Sequence, residues 1–291
     1  MEERPFLLVL LRHAALFCED ESSMSPFTSA RETLNIAHRG GAGERPESTL
    51  EAFRHALAAG ADVLELDVHL SRDREVIVCH DADLKGVSGE EGRIAELTGT
   101  EIRRVDAGAI WSPDGVSTPY AGKGLTLPSL AELFEELPEA QMNVDIKVED
   151  PAVVERVAEL IRRFDRVDRT VVASFSARQL KRFRKLAPEI ATSAHPWDVR
   201  RFYALSRLGL PAFARSKIPY LQVPEYHGSL HLVTKQFVEA AHRAGRQVHV
   251  WTVNEPRAMQ RLLELHVDGI VTDFPSTLTS LLENNLKGRH S

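Results

Sequence analysis

Short apolar segments alternate with amphipathic ones along most of this chain, and that alternation limits the fold more than any other feature. Apolar runs of strand length are Leu34–Ala37, Val63–Leu70, Val76–Cys79, Met142–Lys147, Thr170–Ser174, Ile190–Ala194, Tyr220–Val223, Gln247–Val253 and Gly269–Thr272. Between many of them lie stretches with helical apolar spacing: Thr49–Ala59, Val153–Arg163, Ala177–Leu186, Thr234–Ala244 and Pro256–Leu265. Gly60 and Gly245 stand where helix C-caps belong. This alternation predicts a parallel sheet covered by helices. With 291 residues, 43% of them hydrophobic, the chain can bury one large core, and a barrel of about 250 residues fits that length.

The expected class is α/β, a distorted TIM (β/α)8 barrel. Nine candidate strands exceed its eight places. The turn Ser71–Glu75 is too short for a parallel crossover, which needs about a dozen residues or more. Val76–Asp81 is therefore expected to be a hairpin-like excursion that brings His80-Asp81 back towards the strand ends. Residues 34–282 form the expected barrel, 1–33 an extension before it and 283–291 a tail. Residues 82–128 break the alternation and read as an insertion over the C-terminal mouth.

The net charge of -6 and pI near 6.1 argue against a nucleic-acid partner, whose footprint would be basic. An anionic substrate is still compatible, because a bound cation inverts the local field. Cys18 and Cys79 are the only cysteines, so neither a disulfide framework nor a CxxC metal site is available, and a reducing cytoplasm is the simple expectation. The FLLVLL run within Pro5–Phe17 lacks a positive flank and is interrupted by Arg12-His13, unlike a signal sequence. It is also far short of the roughly 20 residues of a spanning helix. No transmembrane segment is expected; weak contact with a membrane surface stays open.

Three of the apolar runs stop at ionisable groups: His38-Arg39-Gly40, Glu65-x-Asp67 and His80-Asp81. Barrel enzymes keep their chemistry at the carboxyl ends of strands. Histidines can exchange protons, and carboxylates can hold a hard cation. Glu65 and Asp67 are two apart, so both leave the same face of a strand, where they would repel unless neutralised. Together these features point to metal-assisted hydrolysis.

His38-Arg39 with PESTLEAF, LELDVHL and VIVCHD resembles the glycerophosphodiester phosphodiesterase family. So do AELTGTEIRRVDAG, LPSLAELFEELPEAQMNVDIK, VVASF, VHVWTVN and VDGIVTDFP, and the resemblance spans Leu34 to Leu282. It implies a small-molecule phosphodiester substrate, cleaved to glycerol 3-phosphate and an alcohol. Attack would come either from the substrate's own glycerol hydroxyl, through a cyclic phosphate, or from water. It also implies one divalent cation, Mg2+ or Ca2+ with Mn2+ as a substitute, held by Glu65, Asp67 and Asp145; at Asp145 the family more often has Glu. His38 and His80 become the acid and base, in an order left open, with metal contact as the alternative for His80.

Arg39 is expected to grip phosphate, or else to pair with Glu47. Glu47 itself either ligates the cation or orients Arg39, and the second role is preferred. Lys147 shares the face of Asp145 and can bind a phosphate oxygen, or pair with Glu65 or Asp67. Trp251 is a pocket wall or a core residue, and Asp273 either caps a loop or supports the catalytic side. The family's usual PENT reads Pro46-Glu47-Ser48-Thr49 here, with Ser48 and Glu51 expected to form a capping box. Two other activities share this pattern: a lysophospholipase D acting on lysophospholipids, and a non-catalytic phosphate- or lipid-binding barrel.

Overall fold

The computed structural model describes residues 26–209 and 218–288. In chain order the strands are β1 (Leu34–Ala37), β2 (Val63–Leu70), β3 (Val76–Val78), β4 (Gln141–Ile146), β5 (Thr170–Ala173), β6 (Ala191–Thr192), β7 (Tyr220–Pro224), β8 (Tyr226–His227), β9 (Leu230–His231), β10 (Gln247–Trp251) and β11 (Gly269–Thr272). The helices are α1 (Leu50–Ala58), α2 (Lys85–Ser88), α3 (Gly99–Ile102), α4 (Leu130–Glu136), α5 (Pro151–Arg163), α6 (Ala177–Leu186), α7 (Pro196–Arg207), α8 (Lys235–Arg243), α9 (Pro256–Glu264) and α10 (Pro275–Gly288).

Strands pair in the order β6-β5-β4-β2-β1-β11-β10-β7. The two ends of that row meet where Ser193 bridges Tyr220 in parallel, and the Ala194 amide donates to the Tyr220 carbonyl at 2.8 Å. The result is a nearly closed TIM-like barrel. As the short Ser71–Glu75 turn requires, β3 runs antiparallel on β2, with Val78 opposite Val68. It is the one candidate strand outside the barrel row.

Period-two alternation explains what the barrel contains. On β2, Leu64, Leu66, Val68 and Leu70 pack outward against the helix layer, while Val63 joins the interior with Leu34, Ile36, Val171, Tyr220 and Val271. The next residues on that inner face of β2 are Glu65 and Asp67. β4 follows the same rule: Met142, Val144 and Ile146 face the helices, and Asp145 lies opposite Asp67 across the strand pair. Gly269 is required where β10 and β11 approach, because a Cβ there would stand 2.8 Å from the His249 ring.

Helix starts are set by side-chain caps. Ser176 accepts from the Gln179 amide, Thr234 from Phe237, and Ser129 forms a capping box with Glu132. The box expected from Ser48 and Glu51 is corrected: Thr49 caps α1, accepting from Ala52. Ser48 instead has φ 59, which turns its side chain into a buried position with no hydrogen-bond partner for its hydroxyl among the described residues.

Three boundaries need comment. Residues 26–33 are built into the barrel: the Phe27 ring lies 5.5 Å from Tyr220 and 6.3 Å from His249 and closes the floor. The FLLVLL run and Cys18 lie outside the described residues. The C-terminal tail expected from 283 is continuous with α10 as far as Gly288. Residues 82–128 build a small core of their own, in which Leu84, Val87, Ile94, Ile102 and Leu127 pack on Ile77 and Cys79 of the β3 excursion. Among the described residues no helix is long and apolar enough to cross a membrane.

Candidate active site at the barrel mouth

β1 ends in a tight 3-10 turn, His38–Gly40. Gly40 has φ +83, and a Cβ there would touch Ala52 and Phe53 at 3.0 Å, so only glycine lets α1 pack so closely. Arg39 also has a positive φ of 51, a strained conformation for a non-glycine residue. It turns the Arg39 amide onto Glu65, donating to Oε2 at 3.1 Å. The guanidinium meanwhile donates from Nη1 to Glu47 at 3.1 and 3.3 Å and lies 3.6 Å from Asp67. Arg39 therefore has the Glu47 ion pair raised as its alternative, and it still lines the cavity.

The inner-face carboxylates Glu65, Asp67 and Asp145 are 7%, 1% and 5% exposed. Burial, reinforced by the charge of Asp67, pushes Glu65 up to about 8. Burial also raises Asp145, although the Lys147 ammonium pulls the other way. Lys147 Nζ stands between Asp67 Oδ1 at 2.9 Å and Asp145 Oδ2 at 2.8 Å. Although burial opposes its charge, the two carboxylates raise its pKa. The ion pairing held open for Lys147 is thus present, with Asp67 and Asp145 as its partners.

Two buried oxygens, Asp67 Oδ2 and Asp145 Oδ1, have no hydrogen-bond partner among the described residues; the first faces Arg39 Nε at 3.6 Å. Buried carboxylate oxygens without a hydrogen bond are costly, and an oxygen-only donor set suits a hard cation. The donor chemistry therefore fits Mg2+ or Ca2+. A finished coordination shell is a separate matter: among the described residues no three His, Cys, Asp or Glu side chains are arranged to hold a metal. One lysine occupies the space between two of the three carboxylates.

Each histidine carries an aspartate on its Nδ1. His38 Nδ1 donates to Asp273 Oδ1 at 2.6 Å. Asn254 fixes that aspartate twice, donating from Nδ2 to its Oδ2 at 2.6 Å and accepting from its amide at 2.9 Å. Burial alone would lower the His38 pKa, but the Asp273 bond and the nearby Glu65 charge leave it raised. Burial would raise Asp273, yet its bond to His38 holds it below the usual carboxylate range. His80 Nδ1 lies 2.8 Å from Asp81 Oδ1, and His69 Nε2 donates to the His80 carbonyl at 3.0 Å. In both histidines the Nδ1 contact leaves Nε2 for chemistry.

These groups share one cavity of about 660 Å3, into which His38, Arg39, Glu65, Asp67, His80, Asp145 and Lys147 all project. Its remaining wall is largely apolar: Phe175, Val199, Tyr203, Val223, Leu232 and Trp251. Trp251 is a pocket wall, packed edge-on against Phe175 with ring centres 5.9 Å apart. His227 lines the cavity as well, and His195 caps α7. No residue from 82–128 lines it. That segment instead lies beside the β1 turn, where the Trp111 indole donates to the Ala42 carbonyl at 2.9 Å.

Residues 38–277 match the model of the glycerophosphoryl diester phosphodiesterase family. This chain belongs to that family. It is a phosphoric diester hydrolase. A glycerophosphodiester phosphodiesterase of Bacillus altitudinis is 33% identical over 260 residues, covering 86% of this chain and 98% of that one. A human protein named lysophospholipase D GDPD1 is 30% identical over 271 residues, covering 86% of each. Among solved structures, a glycerophosphodiester phosphodiesterase of Agrobacterium tumefaciens superposes with a TM-score of 0.69 at 25% identity, covering 85% of this chain and 99% of that one. An Oleispira antarctica phosphodiesterase, solved with sn-glycerol-3-phosphate, shares the fold with a TM-score of 0.69 at 24% identity, covering 85% and 96%.

Proposed function

We propose that the chain hydrolyses glycerophosphodiesters to glycerol 3-phosphate and an alcohol, with one divalent cation, Mg2+ or Ca2+ (Mn2+ substituting), held by Glu65, Asp67 and Asp145. The observation that carries this reading is the gathering of two Asp-supported histidines, the cationic side chains of Arg39 and Lys147 and three buried carboxylates in one cavity. Its support from relatives includes the Oleispira antarctica enzyme, which binds sn-glycerol-3-phosphate. When bound, the cation supplies Lewis-acid polarisation of the phosphoryl oxygens and orients the nucleophile.

Arg39, held by Glu47, offers donors to a phosphoryl oxygen, and Lys147 offers a point charge to another. A phosphodiester has a poor alkoxide leaving group, so one histidine takes the proton of the attacking oxygen and the other delivers one to the departing oxygen. Asp273 and Asp81 keep the Nδ1 protons of His38 and His80 in place, so that both transfers run through Nε2. Direct attack by water completes the reaction in one such exchange. Attack by the glycerol hydroxyl expels the alcohol and leaves a cyclic phosphate. A second exchange then follows, in which water loses a proton to the base, bonds to phosphorus and opens the ring, the other histidine protonating the ring oxygen that departs. The apolar wall around Trp251 excludes water and packs the organic part of the substrate.

A second reading, lysophospholipid cleavage, is favoured by that same wall, since an acyl chain fits an apolar cavity better than glycerol does. The test is a product assay with glycerophosphocholine, glycerophosphoethanolamine and lysophosphatidylcholine. Release of glycerol 3-phosphate from the first two supports the leading reading. Turnover confined to lysophosphatidylcholine gives the second, and no turnover of any of the three defeats both.

A further inference from the structure

The cavity opens through a rim that is more apolar than a soluble enzyme needs. Phe175, Trp197, Tyr226 and Leu230 are 60%, 66%, 50% and 41% exposed. They come from separate stretches of chain: the loop after β5, the first turn of α7, and the β8–β9 hairpin, where Tyr226 stacks on His231 at 4.6 Å. Phe175 and Leu230 line the cavity itself, so the patch and the entrance are continuous. Scattered single apolar side chains need no explanation, but a cluster around an opening does.

Unpaired positive charge lies beside it. Arg178, Lys181, Arg200 and Arg201 are all exposed, on α6 and α7, and form no ion pair among the described residues. Arg200 lies over the Trp197 ring, 5.0 Å from its centre. The nearby Asp198 is committed to Arg184 at 3.7 Å, and Glu225 to Arg261 at 2.7 Å. Glu149 and Asp150, on the loop between β4 and α5, are exposed as well. In a chain with net charge -6, this positive sector stands apart. Amphipathic aromatic rings flanked by Arg and Lys are the side-chain set suited to a bilayer interface.

We propose that this rim docks on an anionic lipid surface, with Trp197, Tyr226 and the β8–β9 hairpin at the headgroup level and Arg178 and Arg200 facing lipid phosphates. Docking would place the cavity entrance against the bilayer, so that amphiphilic substrates enter without crossing water. The proposal concerns where the enzyme works, and it stands whichever phosphodiester proves to be preferred.

The test is flotation of the full-length protein with vesicles of phosphatidylcholine alone and with equal parts phosphatidylcholine and phosphatidylglycerol. The wild type should float with the anionic vesicles only, and brominated lipid should quench its fluorescence more than that of a Trp197→Phe variant. The double variant Trp197→Ala/Tyr226→Ala should bind at least about tenfold more weakly while turning over soluble glycerophosphocholine at the wild-type rate; neither residue lines the cavity. Wild type that stays out of the anionic vesicle layer overturns the proposal, as does a double variant that binds as well. A wild-type dimer that the double variant dissociates, without vesicle binding by either, would make this face a contact between copies and overturn lipid docking.

Discussion

His38 and Asp273 lie 235 residues apart in the chain and 2.6 Å apart in the fold. The strand that precedes His38, β1, pairs in parallel with the strand that precedes Asp273, β11. Pairing of first and last barrel strands therefore puts the aspartate behind the histidine, and Asn254 from the loop after the neighbouring β10 locks it. Asp273→Asn keeps the shape but removes the charge that fixes the Nδ1 proton. It should lower kcat by about 10²-fold or more, with KM changed far less. Steady-state kinetics together with a thermal melt checks this; an equal loss of kcat and stability would mean that Asp273 only holds the loop.

Arg39→Lys tests the fork geometry. Lysine keeps the charge but cannot hold both Glu47 oxygens while offering donors to phosphate. The expected outcome is a fall in kcat/KM of about tenfold or more, and Glu47→Gln should produce part of the same loss through Arg39. If Glu47→Gln is silent while Arg39→Lys is not, Glu47 does not orient the arginine.

Much of this site was legible before any fold was known. The two-residue spacing of Glu65 and Asp67 places both on one strand face, and the short turn after Leu70 forces β3 into a hairpin. Those are local rules. What stayed illegible is non-local. Asp273 reads as either a loop cap or a support for the catalytic side, and its partner at the other end of the chain decides between them; Asn254 ends the VHVWTVN block but carries no role of its own there. Phe27 reads as part of an extension and proves to be the barrel floor. Ser48 matched a capping pattern, but its positive φ gives the cap to Thr49. The insertion at 82–128 begins at His80-Asp81, as a mouth-covering segment would. It then packs on its own small core, and the wall opposite the catalytic groups comes from α7 and the β8–β9 hairpin.

His249 provides a pH prediction free of the catalytic groups. It is fully buried between Phe27 and Tyr220, and burial lowers its pKa from 6.5 to about 3. Between those values the unfolded chain binds a proton that the folded chain refuses. This neutral ring is therefore no handicap above 6.5, and the folded state loses stability as pH falls from 6.5 towards 3, by about 1.4 kcal/mol per pH unit at most. His249→Gln, which cannot ionise, should show a shallower acid limb in urea midpoints measured across that window. Parallel limbs for the two proteins would show that His249 does not drive acid unfolding.

His80 is held less firmly than His38, since its side chain and that of Asp81 are 32% and 54% exposed. If it carries one of the two proton transfers, His80→Ala should cut kcat by about 10²–10⁴-fold and leave cation binding, followed by calorimetry, intact. Loss of cation binding in that variant would make His80 a ligand instead.

The most direct test of the whole account is removal and return of the cation. Glu65, Asp67 and Asp145 present oxygen donors, two of these oxygens buried without a hydrogen bond among the described residues, in the cavity that holds both histidines. Glycerol 3-phosphate release from glycerophosphocholine should stop after exhaustive EDTA treatment and return with Mg2+, Ca2+ or Mn2+, while Asp67→Asn/Asp145→Asn protein stays folded and is not rescued. Full turnover by the chelated wild-type enzyme would contradict the account.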